Sequence, residues 1–102
     1  MMYLKVHKTE KGDMIALCDE EILGKILREG KKELDLKTYS DFYRGDLCTN
    51  EQADKLLSFD TLYSANIVGE ESVNIVIKKG LVGKSQVMKI AKVPYVHVYT
   101  MI

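Results

Sequence analysis

The chain has no Trp, a single Pro and only two Cys among its 102 residues. Cys18 and Cys48 stand 30 positions apart. That is too few, too widely spaced, for the disulfide framework of a small secreted domain, so both read as reduced thiols in a cytoplasmic protein. One Pro and 7 Gly exclude collagen-like and low-complexity chains. Neither sign of charge is in excess, with 15 Lys plus Arg against 15 Asp plus Glu. Together with 46% hydrophobic residues, this excludes intrinsic disorder. No apolar run approaches the roughly 18 residues of a membrane-spanning helix. Lys5 also arrives before the apolar core of a signal peptide can develop. The length suits one domain, covering residues 1–102.

What is present is a sequence of strand and helix patterns. Met2, Leu4 and Val6 alternate with Tyr3, Lys5 and His7, which predicts a half-buried strand. The polar stretch Thr9 to Asp13 suits a hairpin loop. Met14 to Cys18 is apolar on both faces and predicts a central strand. Asp19 is placed to cap a helix running to Gly30, with Ile22, Leu23, Ile26 and Leu27 as its buried stripe and Gly24 inside it. Glu33 to Thr38 alternates as a further strand, with Leu34 and Leu36 inward. Tyr39 to Asp46 has no clean period and reads as a loop, with a short strand at Phe42-Tyr43 as one option. Thr49 and Gln52 form a capping-box pair opening a helix whose inner face is Ala53, Leu56 and Leu57. Tyr63 to Gly69 reads as a strand and turn. Glu70 to Lys79 carries β-branched residues that favour a strand. Its acidic start, basic end and following Gly80 favour a helix, and the helix is preferred. Val87 to Ile90 predicts a strand. After the break at Pro94, Tyr95 to Met101 alternates as the last one, with Tyr95, His97, Tyr99 and Met101 on one face. The expected architecture is a single compact α+β domain of about five largely antiparallel strands and about three helices.

Four segments carry a resemblance. They are Leu4-Lys5-Val6-His7, Asp41-Phe42-Tyr43-Arg44-Gly45, Asn66-Ile67-Val68-Gly69-Glu70 and Val93-Pro94-Tyr95-Val96-His97-Val98. On these the chain resembles a small archaeal domain-of-unknown-function family of about 100 residues, over essentially its whole length. The resemblance implies a single cytoplasmic archaeal domain and brings no established activity with it.

Charge is distributed unevenly. The last carboxylate is Glu71, whereas Lys78, Lys79, Lys84, Lys89 and Lys92 follow it. The first 77 residues hold 10 basic and 15 acidic residues, a balance of −5, and the remainder carries +5. A basic face of this kind can hold phosphates by counterion release, and Tyr95, His97 and Tyr99 on one strand face can stack on bases. The competing reading is a solvated face balanced by acidic helices. Gly80-Leu81-Val82-Gly83-Lys84-Ser85 is not a phosphate-binding P-loop, because Lys78 occupies the place of its first glycine. It matches a Gly-x-x-Gly clamp, or more simply a helix C-cap at Gly80 and a turn at Gly83.

The loop bearing Asp41, Tyr43, Arg44, Asp46 and Cys48 is the most varied in the chain. Arg44 can grip an anion bidentately, and Cys48, just before a helix N-terminus, is placed for a lowered thiol pKa. The alternative is an ordinary loop with Arg44 paired to Asp41 or Asp46. His7, His97, Cys18 and Cys48 lack the close spacing of a zinc site, so no metal and no cofactor is expected. Met101-Ile102 ends the chain in apolar side chains suited to pairing across a homodimer or to completing the core. The preferred reading is a binding or interaction protein rather than an enzyme, touching RNA or a ribonucleoprotein in translation through its basic C-terminal face. Two alternatives stand beside it. One is a small enzyme or ligand-binding protein centred on Asp41, Tyr43, Arg44 and Cys48, and the other is a homodimeric structural protein. No membrane partner is expected.

Overall fold

The first alternation forms strand β1 (Met2–Thr9), which turns at Glu10-Lys11 into β2 (Gly12–Asp19), with Leu4 opposite Leu17 and Val6 opposite Ile15. The structure is a computed structural model and describes residues 1–57 and 62–99. A separate hairpin follows, β3 (Ile26–Glu29) and β4 (Lys32–Asp35), turning at Gly30-Lys31. The short helix α1 (Ser40–Tyr43) leads into β5 (Asp46–Cys48), which pairs antiparallel with β1. Helix α2 (Asn50–Leu56) starts at the expected capping box. Thr49 Oγ1 accepts the Gln52 N–H at 3.2 Å, and Gln52 Oε1 accepts the Thr49 N–H at 2.9 Å. Strand β6 (Leu62–Val68) runs parallel to β2, placing Ala65 opposite Ile15 and Ile67 opposite Leu17. After helix α3 (Glu70–Lys78), β7 (Met88–Ile90) and β8 (Val93–Tyr99) complete a six-stranded sheet in the order β5-β1-β2-β6-β8-β7.

β2 is apolar on both faces because both are covered. One face carries Leu4, Leu17, Ile67 and Val96 against α2 and α3, which contribute Ala53, Val73 and Val76. The other carries Ala16, Cys18 and Val68 against α1 and the β3–β4 hairpin, which contribute Tyr43, Leu27 and Leu36. Each fully buried Leu, Ile or Val stabilises the fold by about 1.5–3 kcal/mol relative to exposure. Asp19, at the end of β2, joins the two layers. It is only 3% exposed, and its carboxylate accepts the Ser72 N–H at 2.9 Å, the Ser72 hydroxyl at 2.7 Å and the Glu71 N–H at 3.1 Å. The two N–H groups are free donors of the first turn of α3, so Asp19 caps that helix from a distant strand. Gly69 has φ +109, and a Cβ there would overlap the Asp19 carboxylate. Only glycine allows this approach.

Several expectations change. Among the described residues there are eight strands, in a mixed six-stranded sheet plus a two-stranded hairpin, instead of about five largely antiparallel ones. The helix expected over 19–30 is absent. A 3-10 turn, Glu20–Ile22, gives way at Gly24 (φ +96) to strand β3. Gly24 N–H donates to Leu36 O and Leu36 N–H to Lys25 O, bonds a helix would preclude. Ile22, Leu23 and Leu27 still pack on the sheet, which is why their spacing imitates a helix face. Phe42 and Tyr43 lie in α1, not in a strand. Leu56 is 52% exposed rather than on the inner face of α2. The expected strand 33–38 sits slightly earlier, as β4. The 70–79 segment is a helix, closed at Gly80 with φ +77. Met101 and Ile102 lie outside the described residues.

Candidate functional site

Alternation along four strands assigns the second face of the sheet to Lys5 and His7, Met14 and Ala16, Ser64 and Asn66, and His97 and Tyr99. The hairpin and α1 cover the end near Cys18, Val68 and Tyr95. Among the described residues no helix or hairpin covers the end near Tyr99, which is 69% exposed. The β2–β6 register shifts here, from Asp13 opposite Leu62 to Met14 opposite Ser64. This bulge re-aims Tyr63, whose ring meets Tyr99 edge-on at 6.5 Å between centroids. The Lys11 ammonium lies 5.7 Å from the Tyr63 ring centre. At the boundary with α1, His7 stacks on Phe42 at 4.5 Å, and its Nε2 is 2.9 Å from the Phe42 carbonyl oxygen. Between these groups and the hairpin lies a depression of about 470 Å³, lined by Leu34, Tyr39, Phe42, Asn66 and His97 among others.

None of the C-terminal lysines lines this depression. Lys79 donates to Asp54, at 2.8 Å to the carbonyl and 3.3 Å to the carboxylate. Lys78 lines the cleft between α2 and α3 with Glu51, Asp54 and Glu71. Lys92 borders a small depression with Asp19, Glu21 and Glu70. Lys84 and Lys89 share a groove of about 530 Å³ between α3 and the segment leading into β7, with Glu70 and Asn74 on its walls. Carboxylates are interspersed among these lysines, and the depressions adjoin: the cleft shares Asn74 with the groove, and the small depression shares Glu70 with it.

The candidates of the 41–48 loop do not converge. The Asp41 carbonyl accepts from Lys5 Nζ at 2.6 Å. Arg44 lies over the Tyr3 ring, 5.6 Å from its centroid, and is not paired with Asp41 or Asp46. Tyr43 is buried, and burial pushes its phenol up to about 12. Cys48 is buried in the helix-side core, its Sγ 3.5 Å from Asp46 O. Burial first, and Asp46 second, raise its thiol above the ordinary value. This direction is opposite to the lowering expected beside a helix N-terminus, and burial is its largest cause. Cys18 is pushed further, to about 12, by burial and the nearby Asp19 and Glu21. His7 and His97 lie on strands separated by β2 and β6. Among the described residues no three His, Cys, Asp or Glu side chains are grouped to hold a metal.

Lys11, Tyr39, Tyr63 and Asn66 are site residues that pattern reading did not single out. The alternation of 63–68 places Asn66 opposite to Ile67, which is a usable signal. The bulge that swings Tyr63 beside Tyr99 leaves none in the sequence.

Among the described residues no helix is long and apolar enough to cross a membrane. The family model described as "Protein of unknown function (DUF424)" matches residues 6–101. Among solved structures, the chain is similar to an uncharacterized conserved protein from Methanopyrus kandleri. The two are 26% identical with a TM-score of 0.81, over 96% of this chain and 90% of that one. None of the curated proteins matches. The chain therefore belongs to the DUF424 family of proteins of unknown function.

Proposed function

We propose that the protein is a cytoplasmic, archaeal binding module for single-stranded RNA, free or within a ribonucleoprotein, and that the strand lies on the open end of the second sheet face. The observation that carries this reading is the Tyr63–Tyr99 pair. Tyr99 is 69% exposed, is held edge-on by Tyr63, and has the ammonium of Lys11 beside its partner ring. Aromatic side chains on a sheet face stack unpaired bases, and a neighbouring cation serves the phosphates. His97, two residues before Tyr99 on the same face, extends the platform toward Asn66. The basic tail contributes little here, since Lys78, Lys79 and Lys92 are placed among carboxylates.

Fluorescence anisotropy with a labelled single-stranded RNA tests this. Binding weakens as salt rises. Tyr99→Ala weakens it by about 5- to 150-fold, the equivalent of roughly 1–3 kcal/mol for one stacked base, and Tyr99→Phe retains it. Lys84→Ala with Lys89→Ala leaves it unchanged. Absence of binding at low salt, or full binding by Tyr99→Ala, overturns the proposal.

A further inference from the structure

The groove on the opposite face of the sheet calls for a different ligand. Its apolar floor is the half-buried Ile77 of α3 and Val87, with the buried Val73 and Pro94 behind them. Lys84 and Lys89 stand over it, against the single carboxylate of Glu70. Register places Lys89 opposite Pro94, on the face that packs on α3, so its stem lies along the groove. Among the described residues neither Lys84 nor Lys89 belongs to an ion pair, in contrast to Lys79 with Asp54. We propose that this groove docks an acidic peptide segment of a partner protein, its aliphatic side chains on the apolar floor and its carboxylates on Lys84 and Lys89. The volume of about 530 Å³ accommodates a few side chains rather than a whole helix face. Charge complementarity selects the occupant. Two ammonium groups beside apolar surface favour an anionic chain that also brings apolar anchors, and a basic segment is repelled. A nucleic-acid backbone would satisfy the lysines but leave Ile77 and Val87 uncovered.

Selection from a phage-displayed dodecamer library against the full chain, followed by anisotropy with labelled synthetic peptides, tests the proposal. The enriched peptides carry Asp or Glu interspersed with Leu, Ile or Phe, and bind at least tenfold more weakly to Lys84→Glu/Lys89→Glu. Both lysines are exposed, so this variant retains the wild-type melting temperature. Charge-swapped peptides, with Lys in place of each acid, recover binding to the variant. No enrichment, enrichment of basic peptides, or equal binding to the variant overturns the proposal. So does displacement of the peptide by single-stranded RNA, which would make the groove part of a nucleic-acid surface. A concentration-dependent dimer abolished by the double variant likewise overturns it, by giving the groove to a second copy. RNA binding rests on Tyr99, so loss of either activity leaves the other assessable.

Discussion

Replacing Asp19 by Ala removes one acceptor that serves three donors. Ser72 is fully buried, so its N–H and hydroxyl both lose their carboxylate partner where water does not reach. The Glu71 N–H, in a partly buried setting, loses its partner too. An unsatisfied buried donor costs about 1–3 kcal/mol and loss of a helix cap about 0.5–2 kcal/mol, and these overlap. The expected loss is about 3–5 kcal/mol, from a total of about 5–15 kcal/mol for a domain. Melting falls by at least about 12 °C, given about 4–8 °C per kcal/mol at this size. Asp19→Asn keeps one acceptor oxygen and loses about 1–2 kcal/mol. Urea unfolding followed by far-UV circular dichroism reads both, with unchanged m-values. Burial raises the Asp19 carboxyl above its ordinary value, and the hydrogen bonds from Ser72 and Glu71 pull it only part of the way back. The folded state then holds this proton to higher pH than the unfolded chain. The charge-linked contribution of Asp19 is therefore full below the unfolded value near about 3.9 and declines as pH rises through the folded one. Wild type should lose stability relative to Asp19→Asn across that window. A loss below about 1 kcal/mol for Asp19→Ala, within the ordinary range of surface and mild core changes, would refute the tertiary cap.

Gly69→Ala tests the same junction from the helix side. It combines a positive φ with overlap of the Asp19 carboxylate, and should cost about 2–4 kcal/mol by chemical denaturation. Combined with Asp19→Ala it should cost less than the sum, because both destroy one contact, whereas strict additivity would show the sites to be independent. Cys18, with its thiol near 12, and the buried Cys48 should resist iodoacetamide at pH 8 in the folded protein and both react in urea. Mass spectrometry counts the adducts, and rapid labelling of Cys18 in the native state contradicts its burial.

Local signals with local causes were readable. The β1 alternation, the Thr49–Gln52 box, the charges and Gly80 bounding α3, and the His97–Tyr99 face all depend on residues within a turn or two of one another. The helix pattern over 19–30 fails for a tertiary reason. Ile22, Leu23 and Leu27 are buried because a hairpin folds back onto the sheet, and burial at mixed spacing imitates a 3.6-residue period. Asp19 is a cap, as its residue type suggests, but its helix is α3, 51 residues further on, because the side chain's partners are set by the β2–β6 pairing. The open aromatic end of the sheet was half legible. His97 and Tyr99 follow from alternation, whereas Tyr63 needs a bulge and the neighbouring depression needs the hairpin. The carboxylates that the fold sets among the basic tail, Asp54 at Lys79 and Glu70 beside Lys84 and Lys89, come from distant positions that a linear charge count does not reveal.

The parallel contact of β2 with β6 has a consequence for synthesis. The chain from Glu20 to the residue before Leu62 must be threaded through a hairpin, two helices and an edge strand before β2 acquires its second neighbour. Until then a strand apolar on both faces offers a bare edge, the feature that invites misassembly in nascent chains. Contacts this distant along the chain also slow the search for the native state. An N-terminal fragment stopping short of Leu62 would be a sticky hairpin whose Asp19 lacks the donors it serves, and the molecule matures only once its second half arrives to supply the neighbouring strand and those donors.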